Sequence, residues 1–420
     1  MKLFWRSQRC QWENYVNDAH HDLSGVDEQI FSLLSPYQCA FEGDSRREKV
    51  LNAIIKRACV DNHPDIARLR NRLDDWDNYT DGIQPSSKQI SVSFRQQLGE
   101  RMREDVLELM RQRQCHARKQ GFGSYPELVL WSEDLALKPV HALLSVKIAT
   151  SLPVAASLAK NYGITWSSWF NILNSIGYQS DFAGSTSLVL NVLKQLGFNS
   201  LSSTISVVVK DQPIAGFAGI ITVPDDIRIL ISPITGLHQE LALYHELGHA
   251  IAHAMNRETG IFKTWTSAYD EAMAVVFERI AAWIVLDDEQ KKAAQDLWLL
   301  EETRCATSAL FEMELWEHPQ AAEDLYLQHY RAWDIETLPA GVWAADSFRS
   351  IDPIYIHNYV IAAEVADITI EFLKHKFGDN FTEWGQWLAE NYYAEGRGRT
   401  LEGKVTAVGG LACLAHIGEM

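Results

Sequence analysis

The sequence contains no Cys-x-x-Cys pair. Its six cysteines (Cys10, Cys39, Cys59, Cys115, Cys305 and Cys413) are dispersed, which speaks against a disulfide framework and reads as reduced thiols of a cytoplasmic protein. No uninterrupted run of eighteen apolar residues occurs, so no membrane span and no membrane partner are expected. The first residues, MKLFWRSQRCQWENYV, turn polar at once and lack the apolar core of a signal peptide. No stretch is strongly basic over more than a few residues. With 38 Lys+Arg against 55 Asp+Glu the chain carries a net charge of −17, so a polyanion meets repulsion and nucleic acid is not expected as a partner. Repeats and low-complexity tracts are absent.

What is present is ordinary globular material: 420 residues, 47% apolar and 22% charged. Fourteen Trp, fourteen Tyr and sixteen Phe suit extensive helix packing or an aromatic-lined cleft. The pattern is mainly α. Residues 28–34 and 47–60 read as helices, 78–88 as a loop, and 94–119 as a long helix with Leu98, Met102, Val106, Leu109 and Met110 at helical spacing before Gly121. More helices fill 139–200, broken at Gly163, Gly177 and Gly184. Three short β-branched runs follow, at 204–209, 218–223 and 227–232, and predict a small sheet. From Leu237 the chain returns to helix. The division expected is an N-terminal helical region over 1–95 and a catalytic region over 96–420.

Residues 245–249 read His-Glu-Leu-Gly-His inside an apolar helical pattern. Histidines four apart project from one helix face, one turn from each other, so both imidazoles can meet one ion. Zinc accepts neutral imidazole nitrogens at about 2.0–2.1 Å. Glu246, between them, can reach a zinc-bound water as general base without ligating the metal.

Catalytic zinc takes three protein ligands and keeps one position open. The downstream offsets of the longer zinc motif carry Ala252 and Met255 here, which excludes that class. His253 lies about 6 Å further along the helix axis than His249, and three successive turns serve one ion poorly. It reads as a supporting or surface histidine. The carboxylates of 270–278 are better placed: they sit in a very apolar helix, where a charge is costly unless paired or metal-bound. Glu271 is read as the third ligand of one Zn2+. Glu278, seven residues on and on the same face, is read as accepting the outer N–H of a liganding histidine. Asp270 is the rival ligand, about 100° round the helix. The strand 227–232, with Ile229 and Ile231, is read as an edge to which a peptide could add by main-chain hydrogen bonds.

These residues resemble the thimet oligopeptidase and oligoendopeptidase F family of gluzincins, with which the angiotensin-converting enzyme and thermostable carboxypeptidase groups share a core. The likeness lies in 245–250, in the glutamates Glu271 and Glu278, in 114–125 with its Gly-aromatic and Ser-Tyr, and in the closing segment 401–409. It spans roughly 100–420. It implies an almost all-α, two-lobed metallopeptidase with a small sheet beside the zinc helix and a central cleft admitting short, unfolded peptides. It also implies oxyanion donors from a late helix, here among Tyr355, His357 and Tyr359, with Tyr355 and Tyr359 one helical turn apart so that both could face the zinc. The chain is shorter than typical members, the trimmed length falling in the N-terminal lobe.

The expected activity is zinc-dependent hydrolysis of peptide bonds in short peptides, of the endopeptidase type. A carboxypeptidase-like exopeptidase and a protease dedicated to one precursor are the alternatives within that class. A non-catalytic peptide-binding protein retaining the fold is the alternative outside it.

Overall fold

Helix starts follow local capping chemistry in the computed structural model, which describes residues 2–17, 24–38, 40–41, 43–80, 92–178, 185–211 and 215–411. Ser45 and Glu48 form a reciprocal capping box, His63 accepts from the first turn of a helix opened by Pro64, and Ser124, Asn380 and Thr400 cap three further helices. The helices are α1 (Lys2–Asn17), α2 (Ser24–Leu34), α3 (Arg46–Asp61), α4 (Pro64–Asp74), α5 (Val92–Lys119), α6 (Tyr125–Ser132), α7 (Leu137–Asn161) and α8 (Trp169–Leu173). Then come α9 (Ser185–Gln195), α10 (Leu237–Ala254), α11 (Ser267–Val285), α12 (Asp288–Glu317), α13 (Ala322–Arg331), α14 (His357–Phe377), α15 (Phe381–Leu388) and α16 (Leu401–Val405). The chain is 72% helical, which makes it mainly α as expected. The loop expected at 78–88 lies mostly outside the described residues, as do Gly184, Cys39 and Cys413. The four described cysteines, Cys10, Cys59, Cys115 and Cys305, are free.

The chain forms two units. One comprises Met1–His21, Phe170–Glu302 and Asn358–Met420; the other comprises Asp22–Trp169 and Thr303–His357. The boundary expected near residue 95 lies inside α5, and each unit is assembled from segments distant in sequence.

The first unit holds the sheet, with strands β1 (Ile205–Val209), β2 (Gly216–Thr222) and β3 (Asp226–Ile231) in the order β1-β3-β2. β3 runs parallel to β1, with Val207 opposite Ile229, and antiparallel to β2, with Gly216 opposite Ile231. The 227–232 run is therefore the central strand. Its main chain is paired on both sides and Ile229 and Ile231 are fully buried, so the reading of an open edge there is corrected. The outer strands are β1 and β2. Trp12 of α1 packs against Ile221 and Leu230, with Val16, Val208 and Phe217 around them.

In the second unit, Leu98, Met102, Val106, Leu109 and Met110 of α5 are buried, as their spacing predicts. Trp166, Trp169, Tyr330 and Trp333 form an aromatic cluster with ring centroids 4.7–5.3 Å apart. Helix α7 departs from expectation. It is long and apolar enough, by length and composition, to cross a membrane, with a mean hydropathy of 1.6 over its best window. Reading only for unbroken apolar runs misses it, since Lys138, Ser145 and Lys147 interrupt the run. Its Val140, Leu144, Ala155 and Ala159 are buried, whereas Val146 and Val154 are exposed.

Candidate metal centre

Helix α10 follows β3 after a five-residue connection and carries His245, Glu246, His249 and His253. Helix α11 lies directly against it. A Cβ built on Gly248 would sit only 2.7 Å from Ala274 Cα and 2.9 Å from Phe277 Cβ, so the glycine between the two motif histidines is what lets the two backbones approach. That approach carries Glu271, one turn before Ala274, to the histidines.

His245 Nε2 lies 3.2 Å and His249 Nε2 3.8 Å from Glu271 Oε2. Ligands bound at about 2.0–2.1 Å at tetrahedral corners lie roughly 3.3–3.5 Å apart. Both separations bracket that edge, and one donor atom from each of the three residues lies within 4.8 Å of the others. The donor set is two imidazoles and a carboxylate with no sulfur, which suits zinc and leaves a fourth corner open.

The outer nitrogens are also held. His245 Nδ1 is 3.3 Å from Glu278 Oε2, while Glu278 Oε1 accepts the indole N–H of Trp298 at 2.6 Å. His249 Nδ1 is 3.0 Å from Asp270 Oδ1, and His253 Nε2 is 3.1 Å from the same oxygen. Asp270, the rival ligand, thus stands behind the histidines rather than beside Glu271. His253 is buried, and its two ring nitrogens are taken up by Asp270 and Trp265.

The electrostatics favour a cation. Burial opposes charge on His245, yet Glu271 and Glu278 outweigh it and hold its pKa well above the ordinary value. Burial likewise opposes charge on His249, but Asp270 outweighs it and raises the pKa to about 8. Burial would raise Asp270, and the imidazoles of His253 and His249 overcome this and hold it well below the usual carboxylate range. Carboxylates that stabilise protons on buried imidazoles stabilise a divalent ion in their place. Glu246 is half-buried, and burial pushes its carboxyl up against the pull of His249 and His245, the direction that suits a base. Gly216 of β2 lies against it: a Cβ there would meet Glu246 Cγ at 2.7 Å.

The donors expected from the late helix separate. Tyr359, on α14 in the same unit, has its ring 6.3 Å from the His245 ring. Tyr355 precedes the helix, stacked on Phe348 at 5.8 Å in the other unit. Tyr355 and Tyr359 are therefore not one turn apart on a helix. Ile354, at φ 58°, breaks the backbone just before Tyr355, and α14 begins only at His357. His357 is buried in the second unit, where burial and then the Arg57 charge push its pKa down to about 3.

Sequence reasoning overlooked the part of Gly216, although a glycine inside a strand is the usual mark of close backbone approach. It also left Trp265 and Trp298 unnoticed. Nothing local in the sequence ties either indole to the motif.

The fold is that of the helical metallopeptidases. The sequence matches no family model and no curated protein. Among solved structures, the chain is similar to the M32 carboxypeptidase from Deinococcus radiodurans R1 (12% identity, 98% of this chain and 93% of that one, TM-score 0.70). It is similar to a protein described as oligoendopeptidase F (16% identity, 94% and 81%, TM-score 0.65) and to PZ peptidase A solved with an inhibitor (15%, 94% and 82%, TM-score 0.64). At these identities the likeness is one of fold, and it is the fold that the resemblance to oligoendopeptidase F implies.

Proposed function

We propose that the protein hydrolyses peptide bonds in short or unstructured peptides, with one zinc ion held by His245, His249 and Glu271. The observation that carries this reading is the convergence of those three donors beside an unligated, half-buried carboxylate. The peptidase names of the structural neighbours support it.

The ion, when bound, lowers the pKa of its water toward about 7 and polarises the scissile carbonyl. Glu246 takes the water's proton and passes it to the leaving nitrogen. Tyr359 is the donor of its own unit within reach of His245, and we assign it to the carbonyl oxygen as charge builds there; loss of such a donor costs about a hundredfold or more in turnover. Tyr355 and His357 are supported in that role by the resemblance alone. Glu278 and Asp270 hold the outer N–H groups of the two ligand histidines. The peptide's place is at outer strand β2, whose Gly216 adjoins Glu246, in place of the buried β3.

The structural neighbours include oligoendopeptidases and carboxypeptidases alike and favour neither an endopeptidase nor an exopeptidase mode. Mass spectrometry of products from peptides with free and amidated C-termini separates the two modes. For the reaction itself, Glu246→Gln is expected to keep zinc at wild-type stoichiometry and to lose cleavage of a diverse peptide library. Wild-type cleavage by that variant rejects the mechanism.

A further inference from the structure

His253 is buried four residues beyond the second motif histidine, and its partners determine where its proton sits. Its Nδ1 accepts the indole N–H of Trp265 at 2.9 Å. A ring nitrogen that accepts carries no hydrogen, so neutral His253 bears its proton on Nε2 and donates it to Asp270 Oδ1 at 3.1 Å. The same oxygen receives the Nδ1–H of His249 at 3.0 Å, which leaves the lone pair of His249 Nε2 on the side of Glu271.

The far end of this chain is anchored. Trp265 stacks on Tyr269 at 4.5 Å, and the Tyr269 hydroxyl donates to the carbonyl of Tyr392. The ammonium of buried Lys404 lies 5.2 Å from the Trp265 ring and 4.2 Å from the Tyr269 ring. It donates to the carbonyls of Tyr392, at 3.1 Å, and Glu395. Segment 394–397 is stitched to the link between α10 and α11: Arg257 N–H donates to Ala394 O at 2.9 Å, and Arg397 N–H to Phe262 O at 3.0 Å and Thr264 O at 2.9 Å.

We propose that Trp265, His253 and Asp270 form a hydrogen-bond relay that sets the tautomer and aim of His249, anchored by Lys404 and the segment around Tyr392–Arg397. The three are positioning residues. The inference rests on the metal reading above and adds a source of ligand geometry outside the two ligand helices. A histidine that merely filled space would accept any ring in its place; a relay requires one acceptor and one donor.

The test compares zinc affinity, measured by competition with a chromophoric chelator, and the visible spectrum of the cobalt(II) form, with thermal stability recorded alongside. His253→Phe keeps a ring and removes both bonds. It is expected to weaken zinc binding about tenfold or more, the usual effect of losing an outer-shell partner, and to alter the cobalt spectrum. Trp265→Phe keeps the stack and removes one donor, and a smaller loss in the same direction is expected. His253→Gln supplies one acceptor and one donor and is expected to recover most of the affinity. Folded His253→Phe and Trp265→Phe proteins that bind zinc like the wild type overturn the relay, as does a His253→Gln protein as weak as His253→Phe. Should His253→Phe not fold, Trp265→Phe and His253→Gln decide between these outcomes. A wild-type protein that binds no divalent cation overturns the metal reading and the relay together; one that binds zinc and cleaves peptides while both Phe variants match it overturns the relay alone.

Discussion

Gly248→Ala is a one-methyl test of how the site is built. The added carbon would lie 2.7 Å from Ala274 Cα, 2.9 Å from Ala274 O and 2.9 Å from Phe277 Cβ. Carbon atoms in contact prefer about 3.5–4.0 Å, and two of the three obstacles are backbone atoms that no rotamer change can move. α10 and α11 must then part by roughly 0.8–1 Å. On an isolated helix the change would stabilise by about 1 kcal/mol, because alanine is the better helix former. Overpacking a tight contact costs about 1–3 kcal/mol, so the net expectation is a loss of roughly 1 kcal/mol in the metal-free protein. The larger effect falls on the ligands. His249 adjoins residue 248 and Glu271 lies one turn before Ala274, so the 3.8 Å and 3.2 Å separations to Glu271 Oε2 widen with the helices. A misplacement of 1 Å can cost about a hundredfold in rate. The assay is thermal unfolding of metal-free and zinc-loaded protein, chelator competition for zinc, and turnover of a fluorogenic peptide. A variant that gains the alanine's helix stability while holding zinc and turning over like the wild type would refute the claim that the ligand helices touch at Gly248.

Two further perturbations probe the second unit. His357 has a native pKa near 3 against 6.5 unfolded, so between those values the unfolded chain binds the extra proton. Stability is therefore complete above pH 6.5 and is lost as pH falls toward 3, with a slope of up to about 1.4 kcal/mol per pH unit. His357→Asn is expected to lose less stability than wild type between pH 7.5 and pH 5 in urea titrations, and an equal loss in both rejects the assignment. Arg349 and Glu312 form a buried pair at 3.3 Å, and Glu312 Oε1 also accepts the Ile354 N–H at 2.9 Å. Burial pushes the Glu312 carboxyl up to about 7 despite Arg349, so on loss of the guanidinium it takes up a proton, and Arg349→Met is expected to cost about 1–3 kcal/mol through the lost hydrogen bonds. Adding Glu312→Gln, which still accepts from Ile354, should restore part of it. A double variant no better than Arg349→Met alone in denaturant titration argues against the pair.

What was legible in the sequence is what depends on spacing along one element. His245 and His249 share a face because they are four apart on a helix, and Glu271 and Glu278 because they are seven apart, so periodicity alone could place the proposed ligands and one support on two helix faces. It could not place Asp270: the same 100° that removed it from Glu271 points it at the outer nitrogens of His249 and His253, which only the packing of two helices reveals. The strand content was readable from β-branched runs, but strand order was not. β1 pairs in parallel with β3 and skips β2, the next strand in sequence, a non-local choice that buries Ile229 and Ile231 and makes β2 an outer strand beside Glu246. Ile354, a β-branched residue at φ 58°, delays helix α14 and takes Tyr355 off it; a run read for helical spacing cannot register one strained residue. The two glycines at the site, Gly216 and Gly248, supply the missing signal. Each stands where a side chain would strike another element. A glycine inside an otherwise regular strand or helix is unfavourable locally, so its presence there marks a contact whose partner lies elsewhere in the chain. Gly216 meets Glu246, and Gly248, between the motif histidines, meets Ala274 and Phe277 of the facing helix, so two residues without side chains set the spacing on which the proposed site depends.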